Sequence, residues 1–294
     1  MTRTLHPMTQ ERALEGTVAV VTGASRGIGK GIALELGAAG AVVYLTGRSV
    51  DEGPIPGTVG ATVVEVGELG GTAIGVRCDH HVDAEVEALF ERVRAERGRL
   101  DVLVNNVYSS PDLAPWLGKP FWELPIDAWD QVIDIGVRSH YVAARFGVPM
   151  MLEQGSGLIV NVSSSGAIQY AHTVGYGVGK AALDKMTADM AHELAPHGVA
   201  VVSIWPGLVR TELVLFGART TDDGRSVLDL PGEGTFDLDD AESPRFTGRG
   251  VVALASDPEV MARTGRAFRV ADLARDYGFT DVNGKVPQVL LRPE

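Results

Sequence analysis

The sequence predicts a doubly wound α/β domain, one sheet of about seven mostly parallel strands with helices on both faces. Three observations carry this. Short apolar, β-branched runs recur along the whole chain, and several are continuous rather than alternating, as in strands buried on both faces. Amphipathic helical periodicities lie between them. No linker separates two cores, and 294 residues with 45% hydrophobic and 22% charged side chains suit one large folded domain.

Residues 1–16 carry Arg3, Glu11, Arg12 and Glu15 and no apolar stretch, so they are expected to form a flexible leader ahead of a single domain over 17–294. The strands are expected at Val18–Val21, Ala41–Leu45, Thr72–Val76, Leu100–Val104, Leu158–Val162, Ala200–Ile204 and Ala267–Val270. Between the first two, Ile28, Ile32 and Leu36 fall on one helix face; Val86, Leu89, Phe90 and Val93 form a later stripe with Asp83 as its N-cap. Segment 49–60, with two prolines and three glycines, reads as a surface loop. Segment 212–245 opens apolar at Leu213–Phe216 and turns acidic and glycine-rich. It reads as a long functional loop, a substrate lid.

Thirty-eight acidic against 26 basic groups give a net charge of −12, which disfavours nucleic acid as a partner. No apolar run reaches the roughly 18 residues of a membrane helix, so a cytoplasmic protein is expected. The single cysteine, Cys78, lies in an apolar stretch and reads as a buried structural thiol. His80 and His81 lack a third and fourth ligand at metal spacing, so no metal is expected.

The first strand runs into Thr22-Gly23-Ala24-Ser25-Arg26-Gly27-Ile28-Gly29 and then a helix. A glycine turn opening a helix presents backbone N–H groups and the positive end of the helix dipole to a pyrophosphate. The second strand ends Leu45-Thr46-Gly47-Arg48-Ser49, with no carboxylate before Asp51 to take a ribose 2′-hydroxyl. Arg48 and Arg26 are placed instead for a 2′-phosphate, so NADP(H) is expected over NAD(H). Tyr176 and Lys180 are four apart, on one helix face. A neighbouring ammonium favours the phenolate, and a hydroxyl from Ser163-Ser164-Ser165 at a strand end can orient a carbonyl oxygen. Gly175, Gly177 and Gly179 imply a close backbone neighbour along this helix, either a cofactor or a tightly packed partner helix. Trp116, Trp122 and Trp129 suit either core or an aromatic substrate pocket, and His172 is placed to line that pocket.

Together these motifs resemble the short-chain dehydrogenase/reductase family over roughly residues 17–270, which implies a Rossmann-type fold. The resemblance rests on the glycine turn, Cys78-Asp79, Leu103-Val104-Asn105-Asn106, Ile159–Ser164, Tyr176-Gly177-Val178-Gly179-Lys180 and Trp205-Pro206-Gly207-Leu208-Val209-Arg210-Thr211. Gly31–Leu34, Phe121–Glu123, Tyr176–Ala182 and Asp272–Arg275 are most similar to the branch of dehydrogenase/reductase member 1. The resemblance implies cofactor contacts at Gly23, Ser25, Arg26, Gly27, Ile28, Gly29, Arg48, Asp79, Asn105, Tyr176, Lys180, Pro206, Gly207, Val209 and Thr211. It implies catalysis by Tyr176, Lys180 and a serine, and a homodimer or homotetramer.

Three departures stand out. Asn-Asn-Ala-Gly reads Asn105-Asn106-Val107-Tyr108, placing a phenol near the cofactor; a usual asparagine aligns with Gly136; and the serine is Ser164 by strand alignment but Ser163 by spacing. Strand alignment selects Ser164. Gly136 is expected to leave room for a water near Lys180, beside a helix irregularity. The expected activity is NADP(H)-dependent interconversion of a carbonyl and a secondary alcohol, with Tyr176 as proton donor or acceptor. The alternative is a cofactor-binding sensor or scaffold with little turnover.

Overall fold

Four consecutive buried residues in Val18–Val21 (β1) require cover on both faces of the strand. The computed structural model, which describes residues 12–108 and 116–287, supplies it. Val18 and Val20 enter one core with Leu89, Phe90 and Ile159, while Ala19 and Val21 enter another with Ile32, Leu36 and Phe246. This two-residue period places one core on each side of the sheet. The other strands are β2 (Val42–Gly47), β3 (Thr72–Arg77), β4 (Val102–Asn105), β5 (Gly157–Val162), β6 (Val199–Trp205) and, last in the chain, β10 (Ala267–Arg269). All seven are parallel, in the order β10-β6-β5-β4-β1-β2-β3. The order reverses between β1 and β4, and at such a switch point the helices diverge and leave a crevice at the strands' carboxyl ends.

Among the described residues the α-helices are α1 (Gly27–Ala38), α2 (Val59–Glu68), α3 (Asp83–Arg97), α4 (Ile126–Ile133), α5 (Ser139–Gln154), α6 (Val174–Leu194), α7 (Glu212–Phe216), α8 (Pro244–Ala255) and α9 (Val270–Tyr277). One π-type turn, Asp134–Arg138, joins α4 to α5. Thr173 caps α6 by accepting from the Tyr176 N–H at 3.1 Å, which fixes where the catalytic-type motif begins.

Several expectations need correction. Residues 1–11 lie outside the described residues, but 12–16 form a turn with Leu14 buried in the core, so the chain is anchored before Thr17. Asp83 is the first residue of α3 rather than its N-cap; the cap is Val82, and the Asp83 carboxylate accepts from both terminal guanidinium nitrogens of Arg138. The 49–60 loop ends early because Thr58 caps α2 and Val59 starts it. Segment 212–245 is not one long loop. After α7 it folds into a three-stranded antiparallel sheet, β7 (Arg219–Thr220), β8 (Ser226–Leu230) and β9 (Gly234–Asp237). Leu228, Leu238 and Ala241 give it a small core of its own. Trp116 is buried, whereas Trp122 is 73% exposed and belongs to neither core nor pocket. Gly179 sits against Val132 and Val137 of the neighbouring helical segment, so part of the α6 glycine pattern serves helix packing.

Candidate active site

A cleft of about 540 Å³ opens at the switch point. Its floor is the glycine turn, bolted in place by Asn106, whose side-chain amide donates to the Thr22 and Gly23 carbonyls at 2.9 Å each. A Cβ on Gly29 would come within 2.3 Å of the Gly23 carbonyl oxygen, so only glycine lets the turn close this tightly. Gly23, Ser25, Arg26, Gly27 and Ile28 line the cleft; Gly29 packs beneath it. The Gly27 N–H donates to Glu212 Oε2 at 2.7 Å. A carboxylate of the chain therefore occupies the first free donor of α1, where the positive end of the helix dipole favours negative charge.

At one end of the cleft stand Arg48 and Asp79, 3.9 Å apart, and Arg26, whose guanidinium donates to Ser49 Oγ and the Gly57 carbonyl. The Asp79 carboxyl is held below its ordinary range, by hydrogen bonds from His81 and the Arg48 charge against the opposing effect of burial. His80 is buried with Nε2 2.8 Å from Thr46 Oγ1, and burial pushes it down to about 4, so it is neutral at physiological pH. Cys78 is fully buried and its thiol is pushed up to about 12, chiefly by burial. Among the described residues no group of three or more His, Cys, Asp or Glu is placed to hold a metal.

The other end carries Ser164, Tyr176, Lys180 and His172. The Tyr176 hydroxyl donates to Ser164 Oγ at 3.0 Å, and Ser164 Oγ also accepts the Gly166 N–H. Ser163 is turned away, its hydroxyl donating to the Lys180 carbonyl at 3.1 Å. Lys180 Nζ donates to the Val162 carbonyl at 3.0 Å and stands 5.6 Å from the Tyr176 ring. Burial pushes the ammonium down to about 8, against the raising effect of Asp184. The Tyr176 phenol is raised from its ordinary value by burial, only partly offset by Ser164, with the Glu233 charge raising it further. In this arrangement Lys180 Nζ is aimed at the Val162 carbonyl rather than at the phenol oxygen.

Not every anticipated residue reaches the cleft. Asn105 is fully buried below it, with its amide donating to Asn161 Oδ1 at 3.0 Å; Asn106 is the one that lines it. Pro206, Gly207 and Thr211 line the cleft, while Val209 is buried and pairs with Glu242. Gly136 faces no open space on its Cβ side, since a Cβ there would meet the Tyr108 ring at 3.3 Å. The irregularity beside it is present as the π-type turn.

Sequence reading missed three acidic side chains that the fold brings against residues lining the cleft. Glu212 is one. Glu233, from the β8–β9 turn, accepts the His172 N–H at 2.6 Å and lies 3.1 Å from its Nδ1, fixing a ring that stacks edge-on against Tyr176. Glu242 accepts the Gly207 N–H at 2.9 Å and is pushed up to about 8 by burial. All three were visible only as members of an acidic segment or beside it; their partners are far off in sequence.

A carboxylate held at a helix N-terminus, a cleft at the switch point and a tyrosine–serine pair at its far end suit a nucleotide-dependent oxidoreductase. The short chain dehydrogenase family model matches residues 17–218, and the chain belongs to that family. It is an oxidoreductase acting between CH–OH and carbonyl groups with NAD(P). It is 47% identical over 280 residues to "Dehydrogenase/reductase SDR family member 1" of Mus musculus, covering 92% of this chain and 85% of that one. The Homo sapiens protein of the same name is 46% identical over 279 residues, covering 94% and 86%. A metagenomic short-chain oxidoreductase solved in complex with NADP superposes with a TM-score of 0.66 at 31% identity, over 84% of this chain and 94% of that one. No described helix is long and apolar enough to cross a membrane.

Proposed function

We propose that the protein reduces a ketone or aldehyde with NADPH, or oxidises the corresponding alcohol with NADP. The observation that carries this is the 3.0 Å contact between the Tyr176 hydroxyl and Ser164 Oγ at the far end of the cleft. Two hydroxyls at that separation can both hydrogen-bond one carbonyl oxygen, so Ser164 orients it while Tyr176 delivers the proton. The nicotinamide supplies the acceptor or donor of the two electrons when bound. Lys180, buried one helical turn beyond Tyr176, stabilises the phenolate left after proton transfer. The positive end of α1 and the Gly27 N–H would hold the pyrophosphate.

NADP(H) over NAD(H) is supported by Arg26 and Arg48 at the adenosine end and by the lack of any acid at the end of β2. The 212–245 insert acts as the substrate cover in this reading, since Glu233 reaches from it to His172 beside Tyr176. A homodimer or homotetramer in the cytoplasm completes the reading. The test is consumption of NADPH and of NADH across a panel of ketones, quinones and dicarbonyls. Turnover with NADPH at least tenfold above NADH supports the reading; cofactor binding with no turnover on any carbonyl would overturn it.

A further inference from the structure

Tyr108 and Gly136 are 28 residues apart in sequence but meet at the site. A Cβ on Gly136 would stand 3.3 and 3.4 Å from Cδ2 and Cε2 of the Tyr108 ring, closer than most such contacts, so the glycine is what admits the ring. The π-type turn carrying Gly136 lies against the tyrosine–lysine helix α6 through Val137, which packs on Gly179. The admitted ring faces two groups. It meets the Tyr176 ring edge-on, with centroids 6.0 Å apart and planes at 88°. Lys180 Nζ stands 5.3 Å from its centroid and 5.6 Å from that of Tyr176, within the range of a cation–π interaction.

The ammonium needs such partners. It has three N–H donors, and among the described residues its hydrogen bond to protein is the one to the Val162 carbonyl. The charged and titratable groups around it do not supply a close anion. Asp184, one turn further along α6, accepts from Ser203 Oγ at 2.6 Å and from Trp205 Nε1. His140, from α5, is buried and pushed down to about 3 by burial and by Lys180 itself, so it is neutral. Tyr176 is a neutral phenol at physiological pH. Two ring faces are what remains.

We propose that the Tyr108 ring, seated in the gap left by Gly136, is a positioning residue for Lys180, holding its ammonium charged and in place beside Tyr176. This rests on the reading of Tyr176 and Lys180 as the proton-handling pair. The interaction uses the face of the ring and not the hydroxyl. Tyr108→Phe therefore keeps it, while Tyr108→Leu keeps the site apolar but removes the ring's negative face.

The test is direct titration of Lys180 by NMR of lysine labelled at Cε, in a chain with only five lysines, alongside the pH profile of turnover. In Tyr108→Leu the Lys180 midpoint should fall by about 0.5–1.5 pH units, the loss of a partly to fully desolvated cation–π contact. The Tyr108→Phe midpoint should match the parent protein's. The pH at which alcohol oxidation rises should move up in the Leu variant and not in the Phe variant, because an uncharged lysine no longer favours the Tyr176 phenolate. Tyr108→Met serves the same purpose if the branched leucine does not fit. A Lys180 midpoint unchanged in Leu and Met, or lowered equally in Phe, overturns the proposal. The NMR arm reads it even if no carbonyl substrate turns over, so failure of the catalytic reading is distinguishable.

Discussion

Replacing Glu212 with glutamine should weaken the cofactor-free protein and strengthen its grip on cofactor. The carboxylate now takes the Gly27 N–H at 2.7 Å and lies 3.7 Å from Lys30, with both side chains about one-fifth exposed. A negative charge at a helix N-terminus contributes about 0.3–1 kcal/mol, and up to ~2 kcal/mol when partly buried. Lys30 retains Glu65 at 2.7 Å, so loss of the longer ion pair adds little. Taking ~1 kcal/mol, Glu212→Gln should lower the melting temperature by roughly 2–4 °C without cofactor. A cofactor pyrophosphate seeking the same N–H must first displace the carboxylate. Removing the charge removes that opposing term, so the Kd for NADPH should fall about fivefold. Thermal melts and a fluorescence titration of NADPH measure the two effects. Their opposite signs separate competition from simple damage. A variant that loses both stability and affinity, or that changes neither, refutes the seat as the phosphate site.

Ser164→Ala should lower turnover by about 10²-fold or more, while Ser163→Ala, which loses a contact to the Lys180 carbonyl, should act mainly on stability; steady-state kinetics with melts on both variants decide. Arg48→Ala should remove most of the excess thermal stabilisation by NADP(H) over NAD(H), compared by melting with each cofactor at equal concentration. Glu242 has a folded-state value raised to about 8, so the folded state keeps a proton that the unfolded chain has released. Its contribution to stability is therefore lost as pH rises from the ordinary carboxyl range to about 8. Glu242→Gln keeps an acceptor for Gly207 and should flatten the fall in melting temperature between pH 5 and 8.

The sheet was legible in the sequence because parallel strands buried on both faces read as continuous apolar runs, as in Val18–Val21 and Leu158–Val160. The glycine turn and the Tyr176–Lys180 pair were legible because their chemistry depends on local spacing. What stayed hidden depends on contacts distant in sequence. Tyr108 and Gly136 read as two separate departures from a family pattern, yet they are two sides of one contact. Glu233 read only as one member of an acidic, glycine-rich segment and Glu212 was not singled out, because only the fold brings one to His172 and the other to Gly27. The insert read as a loop because β7 is two residues long and β9 four, too short for a period-two pattern to show. Asn105 and Asn106 are neighbours of the same type, but β4 ends between them, leaving the first buried and the second lining the cleft.

The central claim is that the Tyr176 hydroxyl handles the proton, and Tyr176→Phe tests it most directly. The phenyl ring preserves the stacking against His172 and Tyr108 and removes only the hydroxyl that donates to Ser164. Cofactor affinity by fluorescence titration should stay within about threefold of the parent protein, since no ion pair or phosphate contact is touched. Turnover on the best carbonyl of the panel should fall by at least 10²–10⁴-fold, the usual contribution of a general acid. A Tyr176→Phe protein that binds NADPH and reduces the same carbonyl at the parent rate would contradict the account.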